Sequence, residues 1–128
     1  MKPAVEDVPN RLPVWENLSE LFLDTELEAD DFQRLGRLLA ASRYTLDEIE
    51  EILFDEVYPV CIWNLLQVAG VWTAFDSDFL QTAIVKHCRS WFKIPRFLRI
   101  GRRVLIGEPW QKLKQAIQEQ RSATGELT

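Results

Sequence analysis

The chain has little of the chemistry on which most metal proteins and disulfide-rich proteins depend. It contains two cysteines, Cys61 and Cys88, and one histidine, His87. A structural zinc site usually needs four ligands in paired spacing, and two scattered cysteines do not make a disulfide framework. We therefore predict no metal site, and we interpret these residues as packed helix residues. A Cys–His nucleophile is disfavoured because adjacent helical residues project about 100° apart.

Catalytic sequence motifs are also missing. The chain contains no G-x-G-x-x-G, P-loop, G-x-S-x-G or H-E-x-x-H pattern. Paired carboxylates such as Asp30 and Asp31 are more typical of a solvated helix face than of an acid–base site. We expect a protein without cofactor that is not an enzyme, and an enzyme with an unrecognised site remains the open alternative.

No hydrophobic run is long enough to suggest a membrane span. The most apolar stretch, Val57–Phe75, is interrupted by Pro59, Asn64, Gln67 and Gly70. It therefore predicts a buried helix. The first residues lack the apolar segment of a secretory signal, so a cytoplasmic location is expected.

The apolar residues that are present follow helical spacing. Hydrophobic residues make up 47% of the chain, a typical value for a globular protein, and they include five tryptophans and seven phenylalanines. This pattern predicts one all-α domain of five or six helices spanning residues 1–128, with flexible ends at about 1–10 and 122–128.

The first half of the chain contains several helix start and stop signals. Pro13 fits the first position of an initial helix, and a second helix is expected over about 29–41. Thr45 and Glu48 form a capping-box pattern, which marks the start of a third helix. Pro59 removes a backbone donor, so this helix should end or kink just before it.

The second half is less regular. Val60–Val68 is apolar nearly all round, which predicts a central helix. Asp76 or Ser77 can cap the next helix. Residues 96–107 are ambiguous and favour a small hairpin or an irregular insertion, while Pro109 fits the start of a final helix.

Charge is divided by position along the chain. Residues 1–85 contain 17 acidic and 5 basic residues, whereas residues 86–128 contain 3 acidic and 10 basic residues. The net charge of −5 conceals this contrast. Such asymmetry indicates either a charged partner or a contact between an acidic part and a basic part of the same fold.

The acidic residues suggest a protein-binding surface. An ordinary solvated face is one interpretation, and the other is a surface that meets a basic protein, because clustered carboxylates accelerate such encounters. The candidate partner-binding residues are Asp24, Glu26, Glu28, Asp47, Glu48, Glu51 and Asp55.

The basic residues suggest three alternatives. They lie among aromatic residues, a pattern that suits nucleic acid or an anionic membrane surface. They can also dock on the acidic helices of the same molecule. We favour this interpretation because the whole chain is acidic. The candidate polyanion-binding residues are Lys93, Arg96, Arg99, Arg102 and Arg103.

Two stretches carry a resemblance to known sequences. The segments Leu21–Leu27 (LFLDTEL) and Asn64–Trp72 (NLLQVAGVW), with the residues around them, resemble a family of small uncharacterised bacterial proteins over about residues 11–85. The resemblance implies a bacterial, soluble, helical protein and assigns no activity. The basic C-terminal third lies outside it.

The sequence thus favours a non-catalytic protein-binding module. Its sharpest form is an immunity protein or antitoxin that neutralises a basic toxin through the acidic helical surface, an argument from class resemblance. The alternative is a nucleic-acid-associated regulator that uses the basic C-terminal third. The partner's identity and the oligomeric state stay open.

Overall fold

The protein is built from helices that follow one another with short connections. The structure, a computed structural model, describes residues 1–23, 27–66, 76–89 and 96–124, with side chains described outside 63–66 and 96–105. In chain order the helices are a 3-10 turn Ala4–Glu6, α1 Val8–Ser19, a 3-10 turn Glu20–Phe22, α2 Ala29–Ala40, α3 Leu46–Glu51, a π-helix Ile52–Val57, α4 Tyr58–Leu66, α5 Ser77–Arg89 and α6 Arg96–Ala123. The described residues contain no strand, and the predicted single all-α domain is confirmed.

Local signals explain where several helices begin. The capping box at Thr45 forms as predicted: the Glu48 amide donates to Thr45 Oγ1 over 3.2 Å, and the Thr45 amide donates to Glu48 Oε1 over 2.9 Å. These two bonds satisfy amides that have no partner inside α3. The predicted α2 spans Ala29–Ala40, and α5 begins at Ser77, directly after Asp76, one of the two predicted capping residues.

Two prolines, Pro13 and Pro109, occupy positions different from those expected, whereas the change of helix geometry before Pro59 lies where an end or kink was predicted. Pro13 lies inside α1, which begins at Val8, and Pro109 lies inside α6. Pro59 is the second residue of α4, so the chain stays helical through it and changes from π to α geometry just before it. A proline removes one intrahelical hydrogen bond, a local loss that packing of the surrounding helix offsets here.

The hairpin or irregular insertion considered for residues 96–107 does not form. These residues belong to α6, which runs without interruption from Arg96 to Ala123. Two short apolar groups around Gly101 matched a strand pattern, but apolar runs of this length cannot distinguish strand from helix. Residues 4–10, which the sequence analysis placed in a flexible end, are helical except for the buried Asp7.

Helices α2 and α6 pack closely and enclose much of the core. Gly36 of α2 faces Ala116 of α6, where a β-carbon on Gly36 would lie 2.7 Å from the Ala116 β-carbon. Arg121 of α6 donates to the carbonyl of Tyr44 over 2.6 Å and to that of Ala40 over 3.3 Å, so it satisfies one carbonyl at the end of α2 and one in the segment that follows. The fully buried core includes Trp15, Leu35, Leu39, Ile49, Leu53, Ile84, Leu113 and Ile117.

The predicted central helix is described only in part. Cys61 and Ile62 of α4 are buried, whereas Val60 is half-buried. The rest of Val60–Val68 lies outside the described side chains. Within the described part of the chain, no helix has both the length and the apolar composition required to cross a bilayer.

Candidate functional site

An acidic groove of about 600 Å³ lies between the α3–π segment and the middle of α6. One wall carries four carboxylates, and Gly107 of α6 faces them from the other side. The groove is lined by Asp47, Glu50, Glu51, Phe54, Asp55, Gly107, Trp110 and Gln111.

The exposed carboxylates in the groove form one row. Asp47, Glu51 and Asp55 are four residues apart, and all three are exposed. Residues at this spacing are neighbours on a helix surface, so the structure brings together three of the predicted partner-binding residues. Like charges this close destabilise one another slightly and favour the approach of a cation.

Glu50 and Trp110 also line the groove, and neither residue was among the predicted site residues. The Trp110 indole Nε1–H donates to Glu50 Oε1 over 2.8 Å, and Lys114 Nζ lies 3.8 Å from the same oxygen. Trp110 is only 1% exposed, so this bond satisfies a buried donor. Glu50 is three residues after Asp47, and this helical spacing was the signal that could have found it.

Glu48, one of the candidate partner-binding residues, serves the capping box that was predicted at Thr45. Its carboxylate accepts the Thr45 amide and lies 3.6 Å from the Met1 amino group. The backbone hydrogen bond from Thr45 outweighs burial, so the pKa of Glu48 falls below its usual value. Glu48 therefore starts α3 and does not line the groove.

The π-helix Ile52–Val57 sets the direction of three consecutive side chains. Phe54 and Asp55 line the groove, whereas Glu56 is buried. A π-turn contains one more residue than an α-turn, and such segments are found frequently at functional sites. The segment thus contributes residues both to the groove and to a buried polar cluster.

The buried cluster is centred on Arg11 of α1, which is 1% exposed. Its Nε and Nη2 each donate to a different oxygen of Glu56 over 3.2 Å, and its Nη1 donates to Asp7 Oδ2 over 2.8 Å. The Trp15 Nε1–H donates to Glu56 Oε1 over 2.8 Å, and the Tyr44 hydroxyl donates to Asp7 Oδ2. Local sequence patterns do not predict this cluster, because Arg11 and Glu56 are separated by 45 positions.

Two carboxylates, those of Asp7 and Glu56, share one guanidinium in this cluster. The hydrogen-bond donors around Asp7 therefore decide whether that carboxyl group is ionised. Burial alone would raise the pKa of Asp7, but hydrogen bonds from Tyr44, Asn10 and Arg11 and the charge of Arg11 hold that pKa below its usual value. Burial, followed by the hydrogen bond to Asp7, raises the pKa of Tyr44. Asp7 therefore stays ionised and Tyr44 stays protonated at neutral pH.

Among the other predicted acidic residues, Glu28 is described and does not line the groove. Glu28 precedes α2, where its amide donates to Asp31 Oδ2 over 2.9 Å. Asp24 and Glu26 lie outside the described residues.

The predicted basic residues are described only by their backbone. Arg96, Arg99, Arg102 and Arg103 belong to α6, and Lys93 lies outside the described residues. Whether these residues dock on the acidic helices or bind a polyanion stays a prediction.

Within the described residues there is no group of three or more His, Cys, Asp and Glu side chains arranged to hold a metal ion. Burial raises the pKa of the Cys61 thiol to about 12, so this thiol is protonated and inert. Burial lowers the pKa of His87, which is therefore neutral at neutral pH.

Comparison with known proteins gives a family and no activity. A family model described as a domain of unknown function, DUF7079, matches residues 9–121. The match includes the basic C-terminal segment, which the resemblance over residues 11–85 left out. No curated protein and no solved structure matches the chain. Because the model covers most of its length, the chain belongs to the DUF7079 family.

Proposed function

We propose that the protein is a non-catalytic binding module whose acidic groove receives a basic segment of another protein. The observation that carries this proposal is the row of exposed carboxylates, Asp47, Glu51 and Asp55, along a groove of about 600 Å³. This concave volume distinguishes the row from an ordinary solvated helix face.

The charges within the groove support a cationic ligand. Among the described residues, Asp47 and Glu51 make no ion pair, whereas Glu50 already has Lys114 nearby. An ammonium group of the protein itself thus lies next to Glu50, which lines the groove together with the exposed carboxylates. Half-buried Phe54 provides apolar surface for the methylene groups of a lysine or arginine.

The sharpest form of the proposal is an immunity protein or antitoxin that binds a basic toxin. The net charge of −5 and the clustered carboxylates support it, because such a surface attracts a positive protein over long range. Attraction of this kind raises the association rate most at low salt.

The test reverses charge inside the groove. We expect the variant Asp47→Lys with Glu51→Lys to fold normally, because exposed charges contribute little to stability. It should lose a partner that the unmodified protein captures from its native cell, and association with the purified partner should slow. The matched control is Glu16→Lys with Glu119→Lys, which makes the same change of charge at exposed positions outside the groove.

The result separates groove recognition from general attraction. The proposal is supported if the control keeps the partner and the groove variant loses it. Equal loss of the partner from both variants would show that the net charge of the protein, and not the groove, attracts it. Undiminished binding to the groove variant refutes the proposal.

The second candidate is a nucleic-acid-associated regulator. Its support is that Arg99, Arg102 and Arg103 all belong to one helix, α6, within little more than one turn. Changing them to glutamate should abolish binding to a short DNA or RNA duplex if this candidate is right, and wild-type binding should weaken steeply with salt. The groove variant should leave that binding intact.

A further inference from the structure

A second groove, away from the acidic one, lies between α1 and the segment that follows α2. Its volume is about 310 Å³. Asn10 and Asn17 of α1 lie along one wall, and Ala41 and Arg43 contribute to the other. The lining carries no carboxylate, so this groove differs in chemistry from the acidic groove.

The two asparagines have a spacing that suits a peptide main chain. They are seven residues apart on α1, about 10.5 Å along a helix axis. Three residues of an extended chain span about 10 Å. A carboxamide carries both donors and an acceptor, so it can pair with an N–H and a C=O of the same peptide backbone.

Asn10 is held in place for such pairing. Its Nδ2 donates to Asp7 Oδ1 over 2.9 Å, which orients the carboxamide and leaves its oxygen and one N–H hydrogen for another partner. Asp7 is itself fixed by Arg11. Orientation before binding reduces the entropy lost when a ligand is ordered.

A backbone acceptor lies at the same wall. Pro13 is inside α1 and has no amide hydrogen, so it cannot donate to the carbonyl of Pro9 four residues earlier. Both prolines line the groove. The Pro9 carbonyl therefore lacks its usual helical donor and can accept from an N–H of a ligand.

The opposite wall indicates which side chains the ligand carries. Leu38 lines the groove and is 48% exposed, a high value for a leucine on a helix that packs into the core. Arg43 is exposed and brings a positive charge that no acidic lining residue offsets. Leu38 and Arg43 therefore suit a ligand in which an apolar side chain lies next to an acidic one.

We propose that this groove binds an extended peptide segment of a partner protein, with the main chain paired to Asn10 and Asn17 and an acidic side chain beside Arg43. This proposal does not depend on the acidic groove, because the two sites differ in position and in the sign of their charge.

The test selects ligands from a phage-displayed library of random linear peptides on the immobilised full-length protein. The enriched peptides should share an aspartate or glutamate next to an apolar residue. A synthetic copy of the best peptide should shift the amide resonances of Asn17 and Arg43. Methylating one of its central backbone nitrogens should weaken binding, because that nitrogen can no longer donate.

Two variants and one control measure the contacts with the same synthetic peptide. Asn17→Ala should bind about tenfold more weakly, as expected for the loss of one or two net hydrogen bonds. Arg43→Glu should lower the affinity for the peptide by at least as much. Arg37→Glu makes the same charge change at an exposed residue of α2 that does not line the groove, and it should bind normally.

Several outcomes would overturn the proposal. These are failure to enrich any peptide, equal affinity for the Asn17→Ala protein, and resonance shifts confined to Asp47 and Glu51. A bound peptide that is helical would also contradict it. Thermal unfolding of each variant establishes that lost binding does not reflect lost folding.

Discussion

Replacing Arg11 with methionine should remove much of the protein's stability. The methionine side chain retains most of the length and apolar volume, so the change chiefly deletes the guanidinium. Arg11 is 1% exposed and donates three hydrogen bonds to Asp7 and Glu56. Without it, two buried carboxylates lie near each other with only neutral donors around them.

The expected loss is about 3–5 kcal/mol, the usual cost of removing one partner from a buried ion pair. This is a large part of the roughly 5–15 kcal/mol that stabilises a domain. Urea unfolding followed by circular dichroism would measure it. A loss below about 0.5 kcal/mol, the scale of a surface change, would refute the idea that the cluster holds α1 against the π-helix.

The pH dependence provides an independent check. In the native protein the pKa of Asp7 is lowered, so its contribution to stability is present above an unfolded pKa of about 4 and is lost as the pH falls through the lowered value. Without Arg11, the hydrogen bonds from Tyr44 and Asn10 still oppose burial, but the lowering by Arg11 is gone, so the pKa of Asp7 should be higher than in the native protein. The variant should therefore lose less stability than the native protein as the pH falls below about 4, and the two unfolding free energies should converge there.

Neutralising the cluster is the matched control. Adding Asp7→Asn and Glu56→Gln to the Arg11→Met variant removes both buried charges and should recover part of the lost stability. An unchanged or larger loss in the triple variant would show that packing, and not charge, dominates the cluster.

Two further changes test how α2 and α6 pack. Gly36→Ala should destabilise by about 1–3 kcal/mol in urea unfolding, because overpacking against Ala116 exceeds a helix-propensity gain of about 1 kcal/mol; a net gain would contradict the close approach. Arg121→Met should cost about 1–3 kcal/mol and weaken hydrogen-exchange protection near Tyr44, because two carbonyls lose their donor. Unchanged protection there would show that water replaces the guanidinium.

Signals that act within one turn of helix were predictable from the sequence. The capping box at Thr45 and the start of α5 at Ser77 depend on neighbouring residues alone. The row Asp47, Glu51 and Asp55 followed from its spacing for the same reason.

The prolines were misinterpreted because a proline fits a first helical turn best but does not require one. Pro13 and Pro109 are tolerated inside helices whose packing offsets a lost hydrogen bond. The hairpin was wrong because short apolar groups fit either structure.

Contacts between distant residues were beyond local patterns. The pairing of Arg11 with Glu56 and that of Trp110 with Glu50 depend on how helices dock. Charge alone gave no indication that Arg11, Asp7 and Glu56 would be buried, because most charged residues are exposed.

The π-helix Ile52–Val57 holds one residue more than an α-helical segment needs to connect α3 with α4. Deleting one residue there can return the segment to α geometry, and α3 and α4 then keep nearly the same relative rotation, because a π-turn contains one residue more than an α-turn. The change falls on the segment itself, since Phe54, Asp55 and Glu56 could not all keep their present directions in an α-turn. A single-residue deletion in this segment thus alters the groove and the buried cluster together without turning α3 away from α6.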